Sequence, residues 1–136
     1  MATAIEPTAV YDRGSSIEVV VTIGSGLSNR VISHDFSGCS MLAIYYKADG
    51  GAPGGGLTLY TRPTISDALG PRTVASMPQP STDTWSITNV GPYVGESVAT
   101  YGSPPYNNNV PGCPLAYLEV TNSAGVAVTL RIFGKK

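Results

Sequence analysis

An all-β chain, an antiparallel β-sandwich of jelly-roll-like or Ig-like type with long Pro- and Gly-rich loops, is what this sequence predicts. Three observations predict it. Apolar residues recur with a period of two in several short stretches, the mark of half-buried strands. No window of about a dozen residues carries the 3.6 period of a helix without a Gly or Pro inside it. Sixteen Gly and eleven Pro among 136 residues make about a fifth of the chain, which indicates frequent turns but falls short of disorder.

The strands follow in order. In Ser16–Ile23 the residues Ile17, Val19, Val21 and Ile23 share one face, while Glu18 and Thr22 point the other way. Met41-Leu-Ala-Ile-Tyr-Tyr46 is apolar on both faces, so it is expected as a central strand or one whose outer face lies under another chain. Leu57–Arg62, Thr84–Asn89 and Leu115–Thr121 are shorter versions. The strongest alternation comes last, where Val126, Val128, Leu130 and Ile132 interleave with Ala127, Thr129, Arg131 and Phe133. A helical turn or two is expected only around Ile65–Leu69.

Four connections stand out between these strands. Residues 1–14 read as a polar N-terminal arm, leaving 15–136 as a single sandwich domain. Asp49–Gly56 reads as a Gly-rich hairpin loop longer than geometry demands. Residues 63–83 carry Pro63, Pro71, Pro78 and Pro80. Residues 91–114 carry five prolines, four glycines and three tyrosines. Loops this long are uncommon in compact domains and are usually functional or disordered. Proline lowers the entropy of the unfolded chain, so these loops are expected to be fixed in shape.

Composition narrows the function classes. Charged residues are 12% of the chain, about half the usual ~25%, and the net charge is −1. The surface must be rich in Ser, Thr, Asn, Gly and Tyr; either partners cover much of it, or hydroxyls keep the domain in solution. Eight scattered Lys and Arg give no basic stripe in the sequence, so nucleic acid is not an expected partner. MATAIEPTAVYDRG lacks a basic segment followed by an apolar one, so no secretory signal is expected. No apolar run approaches the ~18 residues of a membrane span. Cys39 and Cys113 stand far apart and are expected as free buried thiols, the default of a reducing cytosol.

Catalytic chemistry finds little footing. The single histidine, His34, sits in Ser33-His-Asp35, and neighbours on a strand face opposite ways, so the tripeptide is no triad by itself. One His and two distant Cys do not make a zinc site. Asp35, Asp49, Asp67, Asp83, Glu96 and Glu119 show no spacing that suggests a calcium site or a glycosidase pair. Gly51–Gly56 lacks the Gly-Lys-Ser/Thr ending of a phosphate loop. No catalytic residue, metal or cofactor is therefore expected, and the chain is read as a non-enzyme.

Binding has more to work with. Trp85 and eight tyrosines have the chemistry of a sugar-stacking platform, but Trp85 shares strand period with Ile87 and is read as a core residue. Tyr93, Tyr101 and Tyr106 lie in the long loop, where tyrosine offers rigid contact area and a hydroxyl. With the amides of Asn107, Asn108 and Asn109 they form the expected partner-binding surface, facing protein or glycan.

The order of elements carries a resemblance. Phe36-Ser-Gly-Cys-Ser-Met-Leu-Ala-Ile-Tyr-Tyr46 leads through the Gly-rich loop to Gly56-Leu-Thr-Leu-Tyr-Thr-Arg-Pro63, then to Asp83-Thr-Trp-Ser-Ile87. Gly112-Cys-Pro-Leu-Ala-Tyr-Leu-Glu-Val120 and a closing hairpin over Thr121–Ile132 follow. This layout, over roughly residues 31–133, resembles the small β-sandwich virion proteins of tailed bacteriophages. The resemblance implies a structural virion protein made in the host cytoplasm, most often a capsid decoration (cement) protein that stabilises the major capsid protein lattice. It also implies a homotrimer on the capsid surface, or a related tail or neck component. A carbohydrate-binding, lectin-like module is the alternative.

Overall fold

The computed structural model describes residues 3–39, 41–62, 72–90 and 116–136. Among them the chain forms ten strands and no helix. These are β1 (Thr3–Ile5), β2 (Ala9–Asp12), β3 (Ser16–Ile23), β4 (Arg30–Ile32), β5 (Met41–Ala48), β6 (Leu57–Arg62), β7 (Arg72–Met77), β8 (Ser86–Val90), β9 (Tyr117–Asn122) and β10 (Val128–Lys135). Two five-stranded sheets result, a first with order β1-β4-β9-β6-β7 and a second with order β2-β3-β10-β5-β8. All pairings are antiparallel except β1 with β4. The all-β sandwich expected from the sequence is the fold observed.

The two strand orders are one order read twice. Each successive pair, from β1 and β2 to β9 and β10, sends one member to each sheet, and the five bent segments keep the same order across both. The ribbon that joins β5 to β10 in the second sheet continues past the bend to join β6 to β9 in the first. A paired ribbon thus folds over the core, a jelly-roll-like winding. The core lies where the period-2 faces meet. Ile17, Val19, Val21, Ile23, Leu42, Ile44, Leu130 and Ile132 face Leu57, Leu59, Leu118 and Val120, and none is more than 5% exposed. Each such side chain contributes roughly 1.5–3 kcal/mol over leaving it in water.

Four bends, at 24–29, 49–56, 78–85 and 123–127, gather at one end of the sandwich and hydrogen-bond to one another. Asp49 N–H donates to Ala127 O, Gly54 N–H to Ala124 O, Ser123 N–H to Gly56 O and Ala48 N–H to Ser81 O. The approach is close enough to demand glycine, since a Cβ on Gly55 would collide with the Ser123 carbonyl oxygen. Asn122, 2% exposed, stitches this end together. Its Nδ2 donates to Ile23 O at 3.0 Å, Gly24 O at 3.1 Å and Val126 O at 2.9 Å, and its Oδ1 accepts from Ala124 N–H at 2.9 Å. Asn122→Ala removes four hydrogen bonds, those to Ile23 O and from Ala124 N–H buried, while Gly24 O keeps the Leu27 N–H; it is expected to lower stability by about 3 kcal/mol in denaturant unfolding. A loss under about 1 kcal/mol would show that the bends hold one another without the amide.

Several local expectations are corrected by this topology. Residues 49–56 are not a hairpin loop, because β5 and β6 lie in different sheets; they are a bend between sheets. The same is true of the closing "hairpin" over Thr121–Ile132, which joins β9 of the first sheet to β10 of the second. Sequence-adjacent strands with a Gly-rich link look identical in either case, and only the packing of two such links against each other separates them. The stretch 63–83, read as loop, contains β7, whose small and polar residues between four prolines hide its alternation. Residues 1–14, read as an arm, contribute β1 to the first sheet and β2 to the second. The turn expected at Ile65–Leu69 lies outside the described residues.

Candidate functional site

The residue types with chemistry fall into three places. The first surrounds His34, which is half-buried, with its ring centroid 4.9 Å from that of Phe36. Burial holds its pKa below the ordinary 6.5, against the opposing pull of Asp35 and Asp12, with Lys136 adding to the depression. Asp12 accepts from the Gly14 N–H and pairs with Lys136 Nζ at 2.9 Å, and these, the first most, hold its carboxyl below the usual range. Among the described residues no group of three His, Cys, Asp or Glu is placed to hold a metal ion. Cys39 is free and buried, and burial pushes its thiol pKa up, away from nucleophilic use.

His34 yields a pH prediction. Its folded pKa lies below its unfolded one, so the unfolded chain binds more protons once pH drops through about 6.5. Thermal stability is therefore expected to fall as pH decreases from neutrality through the ordinary histidine range, and to level off below the folded value. His34→Gln should remove that slope. A wild-type Tm unchanged between pH 7 and about 5 would contradict it.

The second place is a buried ion pair. Arg62 Nη1 lies 2.7 Å from Glu119 Oε1, and Asn29 Nδ2 donates to Glu119 Oε2 at 2.7 Å. The side chains are 5% and 1% exposed. Register puts Glu119 opposite Val31 and Tyr60, on the parity that faces away from the core residues Leu118 and Val120. Asn29 reaches it from a left-handed backbone conformation, φ 54°.

The third place is the outer face of the second sheet, built by strand parity. The inward residues of β5, Leu42, Ile44 and Tyr46, leave Ala43, Tyr45 and Lys47 pointing out. One rung of outward residues runs Tyr11, Glu18, Phe133, Ala43, Asn89, and the next runs Ala9, Val20, Arg131, Tyr45, Ile87. Trp85, just before β8, extends this face beside Lys47. Tyr45 and Phe133 meet edge to face with centroids 5.5 Å apart. Lys47 Nζ and Arg131 Cζ lie 5.5 and 5.9 Å from the Trp85 ring centroid. Arg131 Nε is held 3.2 Å from Glu18 Oε2.

Two open depressions meet on this face. One, of about 350 Å³, is lined by Ala43, Tyr45, Trp85, Arg131 and Phe133. The other, of about 340 Å³, shares Ala43 and Phe133 and runs on to Ser15, Ser16 and Lys135. Together they form a shallow trough along β10. Its aromatic groups are rigid, its rim carries cations and hydroxyls, and it is open to solvent. Such a surface can stack planar or ring-shaped ligands and donate hydrogen bonds to them.

Trp85 therefore corrects the sequence reading. It is 41% exposed and Ile87 is 52% exposed, so the period they share belongs to the solvent face, not the core. The reason is position: β8 ends the sheet, and the inward parity of its ladder falls to Ser86 and Thr88, opposite Tyr46 and Ile44. The expected contact residues Tyr93, Tyr101, Tyr106, Asn107, Asn108 and Asn109 lie outside the described residues, as does Cys113. Sequence reading missed Tyr45, Lys47, Arg131 and Phe133. The available signals were the two-sided apolar pattern of Met41–Tyr46 and a Phe at 133 on the polar parity of β10.

No family model and no curated protein matches this chain. Similar solved structures include the family 11 carbohydrate-binding module of a Clostridium thermocellum cellulosomal cellulase, at 11% identity and TM-score 0.40, covering 88% of this chain and 66% of that one. A CBM4 structure has 10% identity and TM-score 0.39, covering 93% of this chain and 88% of the other. The structure of infectious bursal disease virus Gt strain has 14% identity and TM-score 0.31, covering 93% of this chain and 30% of that one. This chain thus spans only part of the length of the first and the last.

Proposed function

We propose that this chain is a non-catalytic binding module that takes carbohydrate on the outer face of its second sheet. The observation that carries the reading is Trp85, a large apolar ring 41% exposed and set beside Tyr45 and Phe133 over an open trough. Leaving an indole in water forgoes the stabilisation of burial, and the flat apolar faces of sugar rings recover it on binding. A trough shallow along its length suits a chain of rings better than a compact small molecule. The test is a glycan array followed by calorimetry on the hits. Phe133→Ala is expected to weaken binding by roughly tenfold, because it widens the trough and removes the edge-to-face support of Tyr45. An array without signal overturns the reading.

A second reading, a capsid decoration protein of a tailed bacteriophage, is favoured by a different observation. Val10 and Tyr11 on β2 and Ile87 on β8 are 46%, 47% and 52% exposed, and these strands are the two edges of the second sheet. Apolar groups at open edges suit contacts with neighbouring subunits, whether copies in a trimer or the major capsid protein. Light scattering and co-sedimentation with capsid shells test it. A monomer that leaves the shells bare overturns it.

A further inference from the structure

We infer that the saccharide this face selects is anionic, with its acidic group set beside the Trp85 ring between Lys47 and Arg131; the inference rests on the carbohydrate reading of the same face. The chain carries eight Lys and Arg and nine Asp and Glu. The fold does not share them evenly. Arg13, Lys47 and Arg131 collect on or beside the outer face of the second sheet, against Glu18 and Asp49. A slightly acidic protein thus presents a locally basic, aromatic trough.

The pairing inside that group leaves an acceptor wanting. Glu18 is shared between two guanidiniums, Arg13 Nη2 at 3.0 Å and Arg131 Nε at 3.2 Å. Asp49, the other acid on this face, accepts from Thr129 Oγ1 at 2.6 Å. Lys47 meets the Trp85 ring and no carboxylate among the described residues. The described residues lining the two depressions include Arg131 and Lys135 and no acid. From Arg131 to Lys135 the trough runs roughly 13 Å at about 3.3 Å per residue, long enough for a short run of sugar rings. An acidic group on a ring stacked at Trp85 meets one guanidinium and one ammonium, whose charge-assisted hydrogen bonds a neutral sugar cannot match. Nucleic acid is disfavoured, because the two acids on the face leave too little excess charge to track a phosphate backbone.

Calorimetry on the intact protein decides it, with polygalacturonate, its fully methyl-esterified form, dextran sulfate, polyglutamate and oligothymidylate as probes. Binding of polygalacturonate or dextran sulfate at least roughly tenfold tighter than the methyl ester is expected, and the two arms separate carboxylate from sulfate. Lys47→Met is expected to cut that preference by roughly tenfold and to flatten its salt dependence. Equal binding of the methyl ester overturns the inference while leaving the carbohydrate reading in place. No binding of any saccharide overturns both. Polyglutamate or oligothymidylate binding as tightly as the acidic glycan overturns the inference, because bare charge would then suffice.

Discussion

Arg62→Met is expected to lower the stability of this sandwich by about 3–5 kcal/mol in denaturant unfolding at neutral pH. The cause is Glu119, whose side chain is 1% exposed and whose partners are the Arg62 guanidinium and the Asn29 amide. An ion pair so dry contributes little net, since desolvation offsets most of its attraction. Removing one partner is another matter, because a carboxylate is then left in a poor solvent with one neutral donor. Two further results separate this cause from simple loss of packing. Adding Glu119→Gln to Arg62→Met should regain part of the loss, because the buried group is then neutral. Arg62→Met combined with Glu119→Leu should recover most of the loss. A single variant within about 1 kcal/mol of wild type at neutral pH would sink the account.

If the outer face of the second sheet binds saccharide as proposed, Trp85→Ala is expected to weaken that binding by roughly thirtyfold or more, about 2 kcal/mol, while changing stability by less than about 1 kcal/mol. The two numbers diverge because the ring is already 41% exposed, lies just before the edge strand β8 and is not part of the core. What is lost is the apolar platform proposed to stack a sugar ring and the ring against which Lys47 and Arg131 lie. Trp85→Phe should retain an intermediate affinity. If Trp85→Ala binds as wild type does, the outer face of the second sheet is not the site. If it unfolds, Trp85 is a core residue after all.

Much of the strand content was legible because alternation is a local property. β3 shows four apolar residues on one parity and β10 three, and β5 shows apolar residues on both, as expected of an inner strand; it lies between β10 and β8. β4, with three residues, is too short to show a period, and β7 has only small or polar residues beside Val74 and Met77. The site was less legible still. Tyr45, Trp85, Arg131 and Phe133 come from three distant stretches, and nothing in their spacing announces that they share one face.

Composition and period two determined, without any coordinates, that this chain is built of strands with an apolar and a polar side and that its turns are many. They did not determine which sheet each strand enters, whether a Gly-rich link closes a hairpin or bends between sheets, or which parity of β8 meets water. Those choices belong to the tertiary structure. A strand's alternation says only that its two faces differ. Which face is dry depends on the strands that pack against it, and those lie up to a hundred residues away, as Asn122 lies from Ile23 across 99 positions.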